Sequence, residues 1–429
     1  MSNQAKHDNF PLPLAAIPRQ PIQIRDIKIT RLTYKPNDGS YVHECGPVVL
    51  TKYDVAIVEI FTDQGIVGIA PGNVHDTNDY RHLIGKNPFD LLALDLPAGL
   101  DVACWDIIGK VLGKPVYQLL ATDNVPNPQV PNQRVPNPHV KVYASGGVNW
   151  TYYDKGDGKA YGADALIEEA LRYKAMGFDT FKWRPGTDWE EAGITPTRLG
   201  EVCRKLRAAV GPDFKLGLEK KGYDSWTFEE CLEIAPIIND LNFLFFEQPM
   251  GDEGPAQFAD YLEIKSRMPR VMLWGGERFR NLNEARPWLE QRIYDAVQSD
   301  SFIIGISENW KIGRVAADNG VKLVTHNWSS CLGTMCNLHT VASLTSGHMC
   351  EFFLYPNPFR EALVTEPYRP HNGYITLGDK PGFGMELAPD LEKQFPYIPG
   401  TNVAANPRFP QAWARAQERE KRVSMRYAG

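Results

Sequence analysis

Six short apolar runs in the second half of the chain each end on an ionisable residue. DTFKWR carries Lys182 and Arg184, and FKLGLE, NFLFFE and VMLWGGE end on Glu219, Glu247 and Glu277. DAVQSD ends on Asp300 and VKLVTH on His326. Three successive carboxylates can hold a hard divalent cation, and a ligand set made only of carboxylate oxygens selects magnesium over softer metals. A carboxylate behind an imidazole fixes its tautomer and raises its basicity, so Asp300 and His326 make a proton-transfer pair. Lys182 and Arg184 add fixed positive charge. Together these residues describe metal-assisted proton chemistry at one site.

Such a site needs elements that bring six strand ends to one place. The runs recur at a coarse step of about 30 residues, the length of one βα unit in an eight-fold barrel, whose C-terminal strand ends share a mouth. Helix-like segments such as ADALIEEALRYKAMG, TPTRLGEVCRKLRAAVG and TFEECLEIAPIIND alternate with the strands from VKVYASGG onward. That alternation predicts a parallel sheet covered by helices, with enough units to close. Upstream, IQIRDIKITRLTY and YDVAIVEIFTDQGIVGIA read as strands, with Asp63-Gln64-Gly65 at a hairpin turn. LDVACWDIIGKVLGKPVYQLL then reads as a helix with Val102, Trp105, Asp106, Ile108 and Val111 near one stripe, ended by Gly113 and Pro115. Three VPN triplets at 125–137 exclude regular structure and mark a linker.

The expected organisation is a flexible arm over 1–21, an α+β domain with its linker over 22–140, a barrel over 141–367, and a C-terminal segment over 368–429. That last segment is expected to return to the first domain or to a subunit contact. At 429 residues two domains are the natural expectation. A net charge of −6 argues against nucleic acid or an anionic membrane as partner. No apolar run approaches the roughly 20 residues needed to span a bilayer. Seven cysteines without a CxxC pair suit reduced thiols in a cytoplasm, and Cys331 and Cys336 read as small core residues.

The motifs in their order resemble the enolase superfamily, in its mandelate racemase-like branch. LDVACWDIIGKVLGKPVYQLL is similar to the helical segment that closes the family's capping domain, and VKVYASGG to its first barrel strand. FKWRPG stands where the family has Lys-x-Lys, FFEQP and GGER where it has its second and third metal carboxylates, and QSD…THN where it has an Asp–His dyad. Glu351 occupies the position of a later glutamate near the substrate. The resemblance implies an α/β fold, a modified TIM (β/α)7β-type barrel under an α+β capping domain. It also implies bound Mg2+ and abstraction of the proton α to a carboxylate, in enzymes that form symmetric homo-oligomers.

Two departures from the family pattern carry weight. Glu219 stands where the family has Asp, and Lys221 where acid-sugar dehydratases often have His. Counting back from Trp226 instead puts Lys221 at the ligand position. Arg184 replaces the second lysine, commonly the base on the opposite substrate face, and arginine is a poor base but a good fork for a carboxylate. One-base chemistry follows, which favours dehydration of an acid sugar or related hydroxy acid, with Lys182, Arg184, Lys221 and Glu351 positioning and stabilising charge. A racemase, epimerase or lactone cycloisomerase on the same scaffold is the alternative reaction. A non-catalytic acid-sugar binding or regulatory protein is the alternative class. His43 and Glu44, with Tyr41, lie in an early loop suited to a hydroxylated ligand, while His339 and His348 read as structural.

Overall fold

The computed structural model describes residues 12–13, 17–45, 48–121, 125–126, 134–147, 163–185, 195–219, 226–251, 254–407, 411, 413–415 and 417–418. Most of the N-terminal arm and all of 419–429 lie outside them, as does Lys221.

The chain begins with β1 (Ile24–Tyr34), β2 (His43–Cys45), β3 (Val48–Leu50), β4 (Tyr53–Thr62) and β5 (Val67–Gly72). β1, β4 and β5 form an antiparallel sheet, and Gly65 takes the positive φ of 74° that the β4–β5 turn requires. After a short helix α1 (Pro88–Leu91) comes α2 (Ala98–Leu112), capped by Gly113 in the left-handed conformation. The predicted stripe is an underestimate: every residue from Leu100 to Gly109 is buried, because α2 is packed on all sides. Two of its acids are anchors. Asp106 accepts the N–H groups of Ile69 and Phe383, both at 2.9 Å, and pairs with Lys110 at 2.6 Å. Asp101 accepts the Ser307 N–H at 3.0 Å and the Ser307 hydroxyl. α3 (Val116–Leu120) follows, and then β6 (Val125–Pro126) pairs antiparallel with β7 (Arg134–Val135), so the VPN stretch holds a short two-stranded pair where no regular structure was expected.

The barrel strands are β8 (His139–Ser145), β9 (Thr180–Trp183), β10 (Lys215–Glu219), β11 (Phe245–Glu247), β12 (Met272–Gly275), β13 (Ala296–Val297), β14 (Lys322–Thr325) and β15 (Gly347–Phe353). Neighbours pair in parallel, and β15 pairs with β8 to close the ring. Between them run α4 (Ala163–Ala175), α5 (Pro196–Val210), α6 (Phe228–Asp240), α7 (Phe258–Ser266), α8 (Leu282–Glu290), the consecutive α9 (Ser301–Ile304) and α10 (Ile306–Asp318), and α11 (Cys331–Ala342). Eight strands with seven helical crossovers make the expected (β/α)7β barrel.

Period-two alternation sorts the strand residues into layers inside the ring. Tyr143, Phe245, Trp274, Ala296, Val324 and Met349 form a separate buried cluster there. Phe245 stacks on Trp274 with centroids 3.6 Å apart. Gly217 makes room for that stack: a Cβ on it would meet the Phe245 ring at 2.1 Å. Lys182, Glu219, Glu247, His326 and Glu351 lie further along the same inward faces, toward the strand C-termini. Downstream, β16 (Tyr374–Thr376) runs antiparallel to β8. β17 (Val403–Ala405) pairs with β3, so the C-terminal segment joins the sheet that carries His43. The six described cysteines are free and buried, and burial pushes the Cys331 thiol up to about 12. No helix among the described residues is long and apolar enough to cross a membrane.

Candidate metal and proton-transfer site

Glu219 and Glu247 end adjacent strands in direct register, and Glu277 follows β12 after the Gly276 turn. Each offers a carboxylate oxygen within 4.8 Å of the other two. Glu219 and Glu247 are fully buried, and buried like charges at this separation need a cation. Lys182 meets part of that need. Its ammonium lies 2.9 Å from Glu219, 2.7 Å from Glu247 and 2.8 Å from Glu351. The Glu351 contact is an ion pair without hydrogen-bond alignment.

Burial still raises the Glu247 carboxyl above its ordinary range despite Lys182, with Glu219 and Glu351 pushing the same way. Crowded all-oxygen donors whose charge burial still penalises fit a divalent hard cation. Glu351 behaves differently. Burial opposes its charge, yet Lys182, His326 and Arg184 hold its carboxyl below the usual range, and Asn327 donates its N–H at 3.0 Å. It is therefore an ionised partner of Lys182.

The proton-transfer pair is assembled on the facing strands. His326 follows β14 directly, and its Nδ1 lies 2.9 Å from Asp300 Oδ2. Its Nε2 points toward the carboxylates, 3.6 Å from Glu277. Asp300 does not end a strand as expected, since β13 stops at Val297. It is instead the N-cap of α9, where its side chain accepts the Phe302 N–H at 2.9 Å. Asn337 donates to the same oxygen at 2.7 Å and to the His326 carbonyl at 3.0 Å. Burial opposes protonation of His326, but the Asp300 hydrogen bond and the charges of Glu351 and Glu277 lift it to about 9.

Arg184, just past β9, donates through Nε to Glu219 at 2.9 Å and through a second nitrogen to the same oxygen. Its guanidinium lies 4.7 Å from the Trp328 ring centroid. His43 reaches the same place from β2. Its ring packs edge-on against Trp328 and Tyr355, with centroids 4.5 and 5.2 Å apart. Both His43 nitrogens are buried without a hydrogen-bond partner. Burial, seconded by Arg184 and opposed by Glu219, keeps its pKa well below 6.5. The Glu44 side chain lies outside the described residues, and Tyr41 is exposed. His339 is a buried acceptor for the Tyr117 N–H at 3.1 Å, as suits a structural residue.

Eight of the nine expected site residues thus converge on one mouth, and Lys221 alone falls outside the described residues. Three polar neighbours were not anticipated. Gln298, which donates to Glu247 at 2.7 Å, lies just past β13 in the same QSD run that ends on Asp300, where a polar residue next to the site was readable. Asn327 and Asn337 had no local signal, since a loop and a helix supply them through tertiary contact.

A family model described as enolase C-terminal domain-like matches residues 165–391, more than half the chain. The chain belongs to that family. Among curated enzymes, arabinonate dehydratase of Saccharolobus solfataricus is 29% identical over 302 residues, 70% of this chain and 71% of that enzyme. D-galactarolactone cycloisomerase of Agrobacterium fabrum is 26% identical, covering 71% of this chain and 74% of that one. The 3,6-anhydro-D-galactonate cycloisomerase of Zobellia galactanivorans has the same fold, with a TM-score of 0.67 at 22% identity over 87% of this chain and all of that one. The enolase-superfamily resemblance read from the motifs is therefore correct, and acid-sugar dehydratases stand among the relatives.

Proposed function

We infer that this protein is a hydro-lyase that dehydrates an acid sugar to a 2-keto-3-deoxy acid, using magnesium held by Glu219, Glu247 and Glu277. The carrying observation is the position of the Asp300–His326 pair, with Nε2 3.6 Å from Glu277 of the carboxylate triad. Similarity to arabinonate dehydratase supports the same reading. The proton α to a carboxylate is barely acidic, because its removal builds a second negative charge beside the first. A bound magnesium ion supplies the fixed positive charge that such a step requires.

The chain's own residues do the rest. His326, whose pKa is raised in part by the Glu277 charge that a cation held by the triad would offset, then starts as a neutral imidazole. It takes the α proton at Nε2 while Nδ1–H stays bonded to Asp300, which stabilises the imidazolium that forms. Asn337 and the Phe302 N–H keep Asp300 oriented. The same Nε2–H then protonates the departing β-hydroxyl, which leaves as water and restores neutral His326. The enol so formed tautomerises to the 2-keto acid. Lys182 is a buried counter-charge that keeps Glu219, Glu247 and Glu351 together. Arg184, sandwiched between Glu219 and Trp328, holds the substrate carboxylate or an adjacent oxygen and cannot act as a base. Neutral His43 offers one donor and one acceptor, which suits a sugar hydroxyl.

A pooled acid-sugar library in deuterated water, with magnesium, tests the reading by mass spectrometry. Loss of water from one member, abolished by a chelator, is expected. Deuterium uptake without water loss would replace dehydration by epimerisation or cycloisomerisation, the activity named for two relatives. No exchange in any member, with no magnesium retained, would leave a binding protein.

A further inference from the structure

The barrel has a second charged end. Two residues below Tyr143, Gly217, Trp274 and Val324, the alternate strands β8, β10, β12 and β14 contribute Lys141, Lys215, Met272 and Lys322 to the floor. Met272 packs against the aromatic cluster, and Lys322 Nζ lies 3.8 Å from its sulfur. The floor is thus separated from the metal mouth by the layer of Tyr143, Phe245, Trp274, Val324 and Met349.

Positive charge outweighs negative charge there. Lys141 and Lys215 share one oxygen of Asp179, at 2.7 and 3.2 Å. Lys322 has no carboxylate within ion-pair distance among the described residues; the nearby Asp295 is engaged by Lys265 at 2.7 Å and by the Leu273 N–H at 2.9 Å. His348 adds a donor of a different kind. The β14–β15 register skips from Gly347 to Met349, which leaves His348 as the extra residue of a bulge. Its Nδ1 is buried without a partner, and the charges it feels are those of Lys322, Lys141, Lys215 and Asp179. Burial, reinforced by the three lysines, pushes it down to about 3, so it is a neutral imidazole. Burial and the neighbouring Lys215 also hold Lys141 and Lys322 below the ordinary lysine range, although Asp179 and Asp295 oppose this.

We propose that the barrel floor is a binding site for a small, doubly charged oxyanion of the phosphate or sulfate class, gripped by Lys141, Lys215 and Lys322 with His348 Nδ1–H as a neutral donor. Three ammonium groups against one shared carboxylate leave a surplus that such an anion neutralises. The buried, unpartnered His348 nitrogen supplies the directional contact that a diffuse cationic patch lacks. Nothing in the proton chemistry at the opposite mouth uses these residues.

The test is a titration of the full chain with inorganic phosphate, with chelator present and ionic strength matched by chloride. It is followed by calorimetric binding and by thermal unfolding. Saturable one-site binding and a rise in Tm beyond that given by chloride are expected. Lys322→Met and Lys215→Met should each weaken phosphate binding tenfold or more, and Lys322→Met should raise Tm without phosphate, since it removes repulsion. That opposite sign separates loss of the site from loss of the fold. His348→Phe should lose affinity while keeping the chloride response, and Arg184→Lys, at the mouth, should leave phosphate binding unchanged. Phosphate acting no better than chloride would overturn the proposal. So would lysine variants that bind as wild type, or loss of binding confined to Arg184→Lys.

Discussion

At the residue scale the site is a balance between carboxylates that need a cation and an imidazole that needs a carboxylate. Removing one member of either set has a distinct signature. His326→Asn can keep a donor to Asp300 but deletes the proton acceptor, so turnover should fall by at least about 10³-fold. Magnesium affinity, measured calorimetrically, should stay near wild type, because Glu219, Glu247 and Glu277 are untouched; joint loss of both would refute the role given to His326. Glu247→Gln should do the reverse. It removes a ligand charge; its one oxygen can still accept from Lys182, and the Gln298 amide can turn to accept from the new NH2, so magnesium binding should weaken by tenfold or more with the fold intact by circular dichroism. His43 belongs to this scale too. Its two unpartnered nitrogens leave one donor and one acceptor for the sugar hydroxyl proposed above.

Elements decide how rigidly that mouth is built, and α2 is the element under most constraint. Its Asp106 satisfies one N–H from β5 and another from the turn at Phe383, tying three distant segments together. Asp106→Ala would orphan both donors and leave Lys110 with the Val67 carbonyl but without its carboxylate partner. A loss of about 3–5 kcal/mol in unfolding free energy is expected, measured by denaturant titration. Asp106→Asn, which keeps an acceptor oxygen, should cost less. A helix buried all round leaves no amphipathic stripe, which is why its periodicity understated its burial. β13 shows the converse. Its two paired residues are too few for a strand pattern, and Asp300 is oriented by capping α9 rather than by a ladder.

For the whole molecule, two couplings matter. His339 bridges α11 to α3 as a neutral acceptor, and burial pushes its pKa down to about 3. The unfolded state binds that proton near pH 6.5 and the folded state does not, so the stability is fully present above about 6.5 and is lost as pH falls toward 3. His348 and His43 add further protons with the same sign. Stability should therefore fall by about 1.4 kcal/mol per pH unit for each of these histidines below pH 6, and His339→Gln should reduce the calorimetric slope by about that one increment. The second coupling runs through the C-terminus. Ile398 is held by Thr33 and Lys52, Asn402 accepts the Thr51 N–H at 2.9 Å, and β17 completes the sheet of β2 and β3. Ending the chain at Tyr397 should unseat His43. KM for the acid sugar should rise tenfold or more while magnesium affinity holds; an unchanged KM would show that β2 needs no such support.

Much of this was legible in one dimension. Strand ends about 30 residues apart must meet when a parallel sheet closes, because every βα unit returns the chain in the same direction. Glu219, Glu247, Glu277, Asp300 and His326 could therefore be assigned to one mouth from spacing and residue type, and Arg184 already argued for one-base chemistry. What only the tertiary structure decided concerns contacts between segments with no common period. The pairing of Lys182 with three carboxylates, the grip of Asn337 on Asp300, the arrival of His43 beneath Trp328, and the gathering of three lysines on the barrel floor are of this kind. Sequence periodicity reports which face a side chain takes, but not which distant face it meets. Those meetings are set by barrel closure and by the path of the C-terminal segment.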